Sequence, residues 1–192
     1  MKGFQDDAFS ASSRGRLTAV AIQENDHSSG SLCFARNDDE RRVYIGLGSN
    51  LGDRENYLKK AIDALKKTLE DVQESSVFET APQYVTDQPA FLNQVIAGET
   101  DLPPLEFLSL CQAIQKQLGR SPSIVRFGPR EIDIDILSFG TVVLQAEVLE
   151  IPHPRISERL FVLEPLLEIA PDWVCPKSGV SAKDMMKNLS VL

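Results

Sequence analysis

Two aspartates stand two residues apart in the run Ile132-Asp133-Ile134-Asp135-Ile136. On a strand, side chains two apart share a face, so both carboxylates project together while the three isoleucines project into a core. Adjacent carboxylates repel unless a cation joins them, and magnesium commonly links one or two carboxylates to substrate phosphates. Taken alone, the pair is also compatible with the solvated face of a half-buried strand. Its surroundings favour the cation: Arg120, Arg126 and Arg130 bring three guanidinium groups into a stretch containing Gly128 and Pro129. Guanidinium forks hold phosphate oxygens two at a time. Arginines on a generic surface loop would simply pair with acidic neighbours; arginines beside a carboxylate pair fit a metal-bound nucleotide better.

His153 lies between Pro152 and Pro154, with Arg155, Arg159 and Phe161 close behind. The only other histidine is His27, which argues against a histidine metal site. His153 is then either a hydrogen-bond donor to phosphate or a packed turn residue. Thr80 and Asn93 offer paired donors and acceptors, and Phe91 and Phe161 offer aromatic faces, the two kinds of contact a flat heterocycle needs. Aromatic residues in strands are more often core, so residue types alone name no heterocycle. The stretch from Gly46 to Asp53 contains neither a G-x-G-x-x-G pattern nor a Walker lysine, and reads as a tight strand-to-helix turn.

A net charge of −8 over 192 residues argues against a nucleic-acid partner, because backbone binding rests on clustered Lys and Arg. No apolar run approaches the ~18 to 20 residues of a membrane span. Cys33, Cys111 and Cys175 are far apart and odd in number, which points to no disulfide framework or zinc site and suits a reducing, cytoplasmic setting. Residues 1–41 mix Ser, Asp, Arg and Asn without a sustained apolar period, and are expected to be a poorly ordered extension with at most one strand over 17–22. Asp6 and Asp7 argue against a transit peptide. Residues 42–192 are expected to form one domain.

The elements that must position these residues follow from apolar period. A strand is expected over 43–48, then a helix over 53–69 with Tyr57, Leu58, Ala61, Ile62, Leu65 and Leu69 as its buried stripe. Strands over 72–80 and 91–100 are joined by a turn-rich connection long enough to be functional. Pro103 and Pro104 start a second helix that Gly119 stops, with Leu105, Leu108, Leu110, Cys111, Ile114 and Leu118 on its buried face. A strand over 132–139, an edge hairpin element over 142–148 and a helix over 160–170, broken or kinked near Pro165, complete the chain. This β-α-β-β-α-β order predicts an α+β, ferredoxin-like sandwich with helices on one face of the sheet, extra strands and a C-terminal helix.

Four blocks occur in order: Gly48-Ser49-Asn50-Leu51-Gly52-Asp53; Thr80 through Asp87-Gln88-Pro89-Ala90-Phe91-Leu92-Asn93; Gly128-Pro129-Arg130 through Asp133 and Asp135; and Pro152-His153-Pro154-Arg155 through Arg159 and Phe161-Val162-Leu163. With them, residues 44–171 resemble the 6-hydroxymethyl-7,8-dihydropterin pyrophosphokinase family. The resemblance implies transfer of diphosphate from ATP to the hydroxymethyl group of a reduced pterin, giving AMP, in folate biosynthesis. It implies two Mg2+ ions on Asp133 and Asp135, with Arg120, Arg130, Asp133 and Asp135 as the catalytic set. It places ATP against Gln112, Arg120, Arg126, Arg130, Ile136, His153 and Arg159. It places the pterin against Thr80, Ala81, Gln83, Phe91, Asn93 and Phe161.

No covalent enzyme intermediate is implied and no general base is assigned, Asp135 being the better candidate of the two acids. The expected partners are ATP and the reduced pterin, with no nucleic acid and no membrane, for a monofunctional monomer. Four positions depart from the family pattern: Pro122 where arginine is usual, Phe127 where tryptophan is usual, Gln115 where glutamate is common and Tyr84 where glycine is common. Pro122 removes one possible phosphate contact, which implies weaker ATP binding than a Pro122→Arg variant would show. Two other classes remain open: a metal-dependent nucleotidyltransferase using the same carboxylate pair, and a ferredoxin-like RNA-binding module.

Overall fold

Strand β1 (Arg42–Ser49) alternates half-buried and buried residues along its length. One face sends Val43, Ile45 and Leu47 into a core, and the other carries Tyr44, Gly46 and Gly48. The computed structural model describes residues 41–83, 85–120 and 128–189, and in it β1 is the middle of an antiparallel sheet. Strand β1 pairs with β4 (Phe91–Glu99) on one side and with β5 (Asp133–Phe139) on the other. Strands β2 (Glu70–Glu74) and β3 (Phe78–Thr80) both pair with β4, giving the order β2-β4-β1-β5 with β3 beside β4. This is the ferredoxin-like order with its second strand in two pieces.

The single strand expected over 72–80 is broken at Ser75. Its hydroxyl accepts from the Val95 N–H at 3.0 Å, its own N–H donates to the Val95 carbonyl, and its carbonyl accepts from Gln94 Nε2 at 2.8 Å. Side-chain hydrogen bonds there take the place of a regular ladder.

Helix α1 (Arg54–Leu65) follows the β1 turn, with Asp53 capping it by accepting from the Asn56 N–H at 3.3 Å. Its buried residues Leu58, Ala61, Ile62 and Leu65 recur at helical spacing. Helix α2 (Pro104–Gln117) opens with proline at its first position and ends before Gly119, whose φ of +89° suits glycine. Its core face is Phe107, Cys111, Ile114 and Gln115; Leu105, expected there, is 49% exposed. Phe107 takes the core position, packing edge-on against Phe139 with ring centroids 6.1 Å apart. Burial pushes the Cys111 thiol up to about 12, so that cysteine is a packing residue.

Both helices cover one face of the sheet, where Ile132, Ile134 and Ile136 are buried. Burying each such side chain contributes about 1.5 to 3 kcal/mol, which fixes the register of β5 and leaves Asp133 and Asp135 on the opposite face. That opposite face is not bare, contrary to the one-sided sandwich expected. Helix α3 (Leu160–Ile169) and helix α4 (Ala182–Leu189) pack over its far end, burying Val95 and Leu137 with Val162, Leu163 and Leu166. Helix α3 runs unbroken through Pro165, and α4 adds a second C-terminal helix.

A short hairpin, β6 (Leu144–Gln145) with β7 (Glu150–Ile151), returns the chain beside β5. Arg41, the last residue of the expected extension, forms ion pairs with Asp101 at 2.9 Å and Glu70 at 3.3 Å. The strand expected over 17–22 lies outside the described residues. Among the described residues, no helix is long and apolar enough to cross a membrane.

Candidate active site

The face carrying Asp133 and Asp135 is covered at its Leu137 end and open at its Gly48 end, where a cavity of about 420 Å³ forms. Its floor is set by strand register. Gly48 lies opposite Asn93 of β4 and Asp133 of β5, and Gly46 lies opposite Asp135. Glycine at both positions keeps the floor free of side chains: a Cβ on Gly48 would stand 3.4 Å from Asn93 Oδ1 and 3.9 Å from the Phe91 ring. The turn reading of this segment missed that role.

At one end, Asp133 is held on both oxygens, by Arg120 at 2.9 Å and by Arg130 at 2.6 Å. Asp135 is less engaged. Among the described residues its nearest cation is Arg159 at 3.9 Å, and its side chain is 44% exposed. Desolvation by the cavity walls, together with the charge of Asp133, raises the Asp135 carboxyl to about 6, against the opposing pull of the arginines. An added cation would relieve that cost. Among the described residues no third His, Cys, Asp or Glu joins the pair into a protein-only metal cage, which suits a magnesium whose shell is completed by water and phosphate.

Arg159 is 13% exposed, and its buried Nε has no hydrogen-bond partner among the described residues. Its guanidinium carbon lies 5.5 Å from the centroid of the Phe161 ring. An orphaned arginine donor in a cavity is a ready seat for an anionic oxygen.

Arg120 is braced from behind by Gln115, whose Oε1 accepts from both the guanidinium and the Ile134 N–H, the latter at 3.1 Å. Gln115 is 4% exposed, and one amide oxygen thereby ties an arginine to the backbone between the two aspartates. Leu108, Gln112 and Gln115, spaced by four and three residues, form a cavity-facing stripe of α2 beside its core stripe.

His153 is delivered by the returning hairpin, after a cis peptide bond to Pro152, with its N–H donating to the Leu137 carbonyl at 2.8 Å. Its Nδ1 accepts from the Arg155 N–H at 3.1 Å, so the neutral ring carries its proton on Nε2. Burial first, then the charge of Arg159, lowers the imidazole to about 4. His153 therefore lines the cavity as an uncharged donor at neutral pH.

The cavity is also lined by Thr80, Ala81, Gln83, Phe91, Asn93 and, beside Arg159, Phe161. Asn93 Nδ2 donates to Thr80 Oγ1 at 2.8 Å, which fixes the amide orientation at 6% exposure.

All the site residues expected from sequence meet in this one cavity except two. Arg126 lies outside the described residues, as do the departing positions Tyr84, Pro122 and Phe127. Ile136 does not line the cavity with its side chain: strand alternation sends that to the opposite face, 4% exposed in the core beneath α1 and α2, which leaves its backbone as the part able to meet a nucleotide.

Comparison with known families matches residues 44–171 to the model of 7,8-dihydro-6-hydroxymethylpterin-pyrophosphokinase (HPPK). The chain belongs to the HPPK family. It is 48% identical over 129 residues to the 2-amino-4-hydroxy-6-hydroxymethyldihydropteridine pyrophosphokinase of Bacillus subtilis, covering 66% of this chain and 77% of that one. It is 44% identical over 131 residues to the "Folate synthesis bifunctional protein, mitochondrial" of Pisum sativum, covering 68% of this chain and 25% of that protein. The chain thus spans most of the bacterial relative and about a quarter of the plant one. The structure of Plasmodium falciparum HPPK-DHPS superposes with a TM-score of 0.60 at 15% identity, over 77% of this chain and 44% of that one, a likeness of fold. Within the HPPK family pattern, the cavity also gives Gln115 a place that its residue type did not announce.

Proposed function

We propose that the chain transfers the terminal diphosphate of ATP to the hydroxymethyl group of 6-hydroxymethyl-7,8-dihydropterin, releasing AMP, as a step of folate biosynthesis. The observation that supports this is one cavity lined both by the Asp133 and Asp135 pair with Arg120, Arg130 and Arg159 and by the hydrogen-bonded Asn93 and Thr80 with Phe91 and Phe161. Family membership supports the same reading.

The hydroxymethyl oxygen attacks the β-phosphorus in line, the bond from that phosphorus to the α,β-bridging oxygen breaks, and AMP departs. Such transfers rest on positioning and charge stabilisation rather than on covalent chemistry by the protein. Two magnesium ions held by Asp133 and Asp135 would neutralise the phosphate oxygens and the leaving AMP. Arg120 and Arg130, which pair with Asp133, exchange that carboxylate for phosphate oxygens, and Arg159 offers an Nε that has no partner among the described residues. His153 donates from Nε2 without adding charge. Phe91 and Phe161 sandwich the pterin, while Asn93 and Thr80 read its polar edge. Asp135, whose nearest cation among the described residues is Arg159 at 3.9 Å, keeps capacity to accept the hydroxyl proton.

The chain acts as a monomer in the cytosol with no nucleic-acid partner, consistent with its net charge of −8. A solution mass of two chains, or a fluorescent fusion concentrated in mitochondria, would overturn those parts. The reaction itself is tested with the Asp133→Ala/Asp135→Ala double variant, whose side chains lie outside the isoleucine core. It should keep its fold by circular dichroism and lose magnesium-dependent transfer; a folded double variant with full activity would reject the metal assignment.

A further inference from the structure

Gln115 lines the cavity from α2 with 4% of its surface exposed, and the two polar atoms of its amide are in different situations. Oε1 accepts from the Arg120 guanidinium and from the Ile134 N–H, the latter at 3.1 Å. Both partners can only donate, so the oxygen must face them, and this fixes which end of the amide is nitrogen. Nε2 is thereby turned away from both, and it has no acceptor among the described residues. A nearly buried donor without an acceptor costs stability, a cost that an acceptor on a ligand removes. The two atoms of one amide adjoin, so Nε2 opens on the part of the cavity that holds the Arg120 guanidinium, itself 2.9 Å from Asp133. Gln112 and Leu108, about one and two turns back along α2, line the cavity as well. Whatever meets Nε2 must accept. A water on magnesium does not qualify, because its lone pair is committed to the cation and its hydrogens point outward; a carboxylate at position 115 would suit such a water. An amide nitrogen suits an oxygen with free lone pairs, as the non-bridging oxygens of a phosphate chain have.

We infer that Gln115 is a nucleotide-binding residue, its Nε2 donating to a phosphate oxygen of ATP while its Oε1 braces Arg120. The inference deepens the proposed function and rests on it. The two roles belong to the two ends of one amide: the oxygen positions a guanidinium, and the nitrogen adds a donor beside it. That donor is neutral, so it holds an anionic oxygen without drawing Asp133 or Asp135 away from a metal, as a further cation would. A carboxylate in the same place keeps the brace and loses the donor.

The experiment measures the dissociation constant of the full chain for α,β-methylene ATP with magnesium, and follows the side-chain amide protons of Gln115 by proton–nitrogen NMR, assigned through the backbone. Gln115→Glu keeps an oxygen toward Arg120 and Ile134 and replaces the donor by an acceptor. Its affinity for the nucleotide analogue should fall at least about tenfold, while its melting temperature and its affinity for 6-hydroxymethyl-7,8-dihydropterin alone stay level with those of the unaltered protein. In the unaltered protein one Gln115 amide proton should move downfield as the analogue binds and show scalar coupling to phosphorus across the hydrogen bond. Unchanged nucleotide affinity in folded Gln115→Glu overturns the contact. So does an amide proton that stays in place in the nucleotide-bound protein, even if Gln115→Glu binds weakly, because the added charge alone would then account for the weakness. A shift without coupling to phosphorus moves the acceptor elsewhere on the nucleotide and overturns the phosphate contact. Should Gln115→Glu fail to fold, the amide signal of the unaltered protein decides alone. An unaltered protein that does not bind the analogue refutes the proposed function and the contact with it, whereas binding with the Gln115 amide unmoved refutes the contact only.

Discussion

Asn93 and Asp133 flank Gly48 across the sheet, Asn93 as its partner from β4 and Asp133 as its partner from β5. A residue proposed to read the pterin and a residue proposed to hold metal are therefore separated by one strand, with no side chain between them. Gly48→Val should fold, since valine suits a strand and the nearest atom to the new Cβ is Asn93 Oδ1 at 3.4 Å. Its branches would occupy the cavity floor, and kcat/KM should drop at least about tenfold, roughly 1.4 kcal/mol of transition-state stabilisation. Thermal melting alongside steady-state kinetics checks this; near-normal kcat/KM in a folded variant would contradict it.

Asp135 gives a stability prediction whose sign differs from that of most site mutations. Its carboxyl is raised to about 6 in the folded chain, chiefly by desolvation. Protonation therefore favours the fold: this contribution is full below the unfolded carboxyl range and is lost as pH rises through about 6. Without metal, Asp135→Asn should melt higher than the unaltered protein at pH 7.5, with the advantage gone near pH 3.5. Transfer activity should be lost in the same variant. Magnesium affinity of the unaltered protein should fall as pH drops below about 6, with proton release on binding. A lower melting temperature for Asp135→Asn at pH 7.5 would refute the assignment.

His153 should remain uncharged through the physiological range. With its imidazole lowered to about 4, the unfolded chain binds the proton first, so stability present above pH 6.5 is lost as pH falls toward 4. Its ring signals by NMR should not titrate between pH 8 and 5.5. His153→Gln, which can still offer an amide donor, should retain more activity than His153→Leu. A titration midpoint near 6.5 would show that the ring is not held as described.

Gln115 joins Arg120 to the Ile134 N–H, so removing its acceptor strands a buried donor. Gln115→Leu should cost about 1 to 3 kcal/mol of stability for that group, and raise the KM for ATP as Arg120 loses its brace. Gln115→Glu keeps the acceptor and should hold the fold. Equal melting temperatures for Gln115→Leu and the unaltered protein would show that the bond contributes little.

Much of this site was legible where local period governs. The alternation of Ile132, Asp133, Ile134, Asp135 and Ile136 announced a strand with two carboxylates on one face, and the structure has that face. The same alternation sends the Ile136 side chain into the core with the other isoleucines, which leaves only its backbone toward the nucleotide end. Asn50 was read as a turn residue because its partners, Arg130 and Gln88, lie 80 and 38 positions away in the chain, and no local pattern reports a contact of that span. Gly46 and Gly48 signalled a turn, yet their structural consequence is the empty floor that cross-strand pairing creates. Helices α3 and α4 on the second face follow from Val95 and Leu137, whose burial shows only once the strands are paired.

The most direct test of the account is to follow ATP, magnesium and 6-hydroxymethyl-7,8-dihydropterin with the purified chain by phosphorus NMR and to quantify every nucleotide product. Diphosphate transfer yields AMP and pterin diphosphate in equal amounts, dependent on pterin and on magnesium, with no free diphosphate released. Release of free diphosphate with the nucleoside monophosphate moved onto an acceptor would assign the site to nucleotidyl transfer and contradict the account. Absence of any pterin-dependent product would contradict it as well.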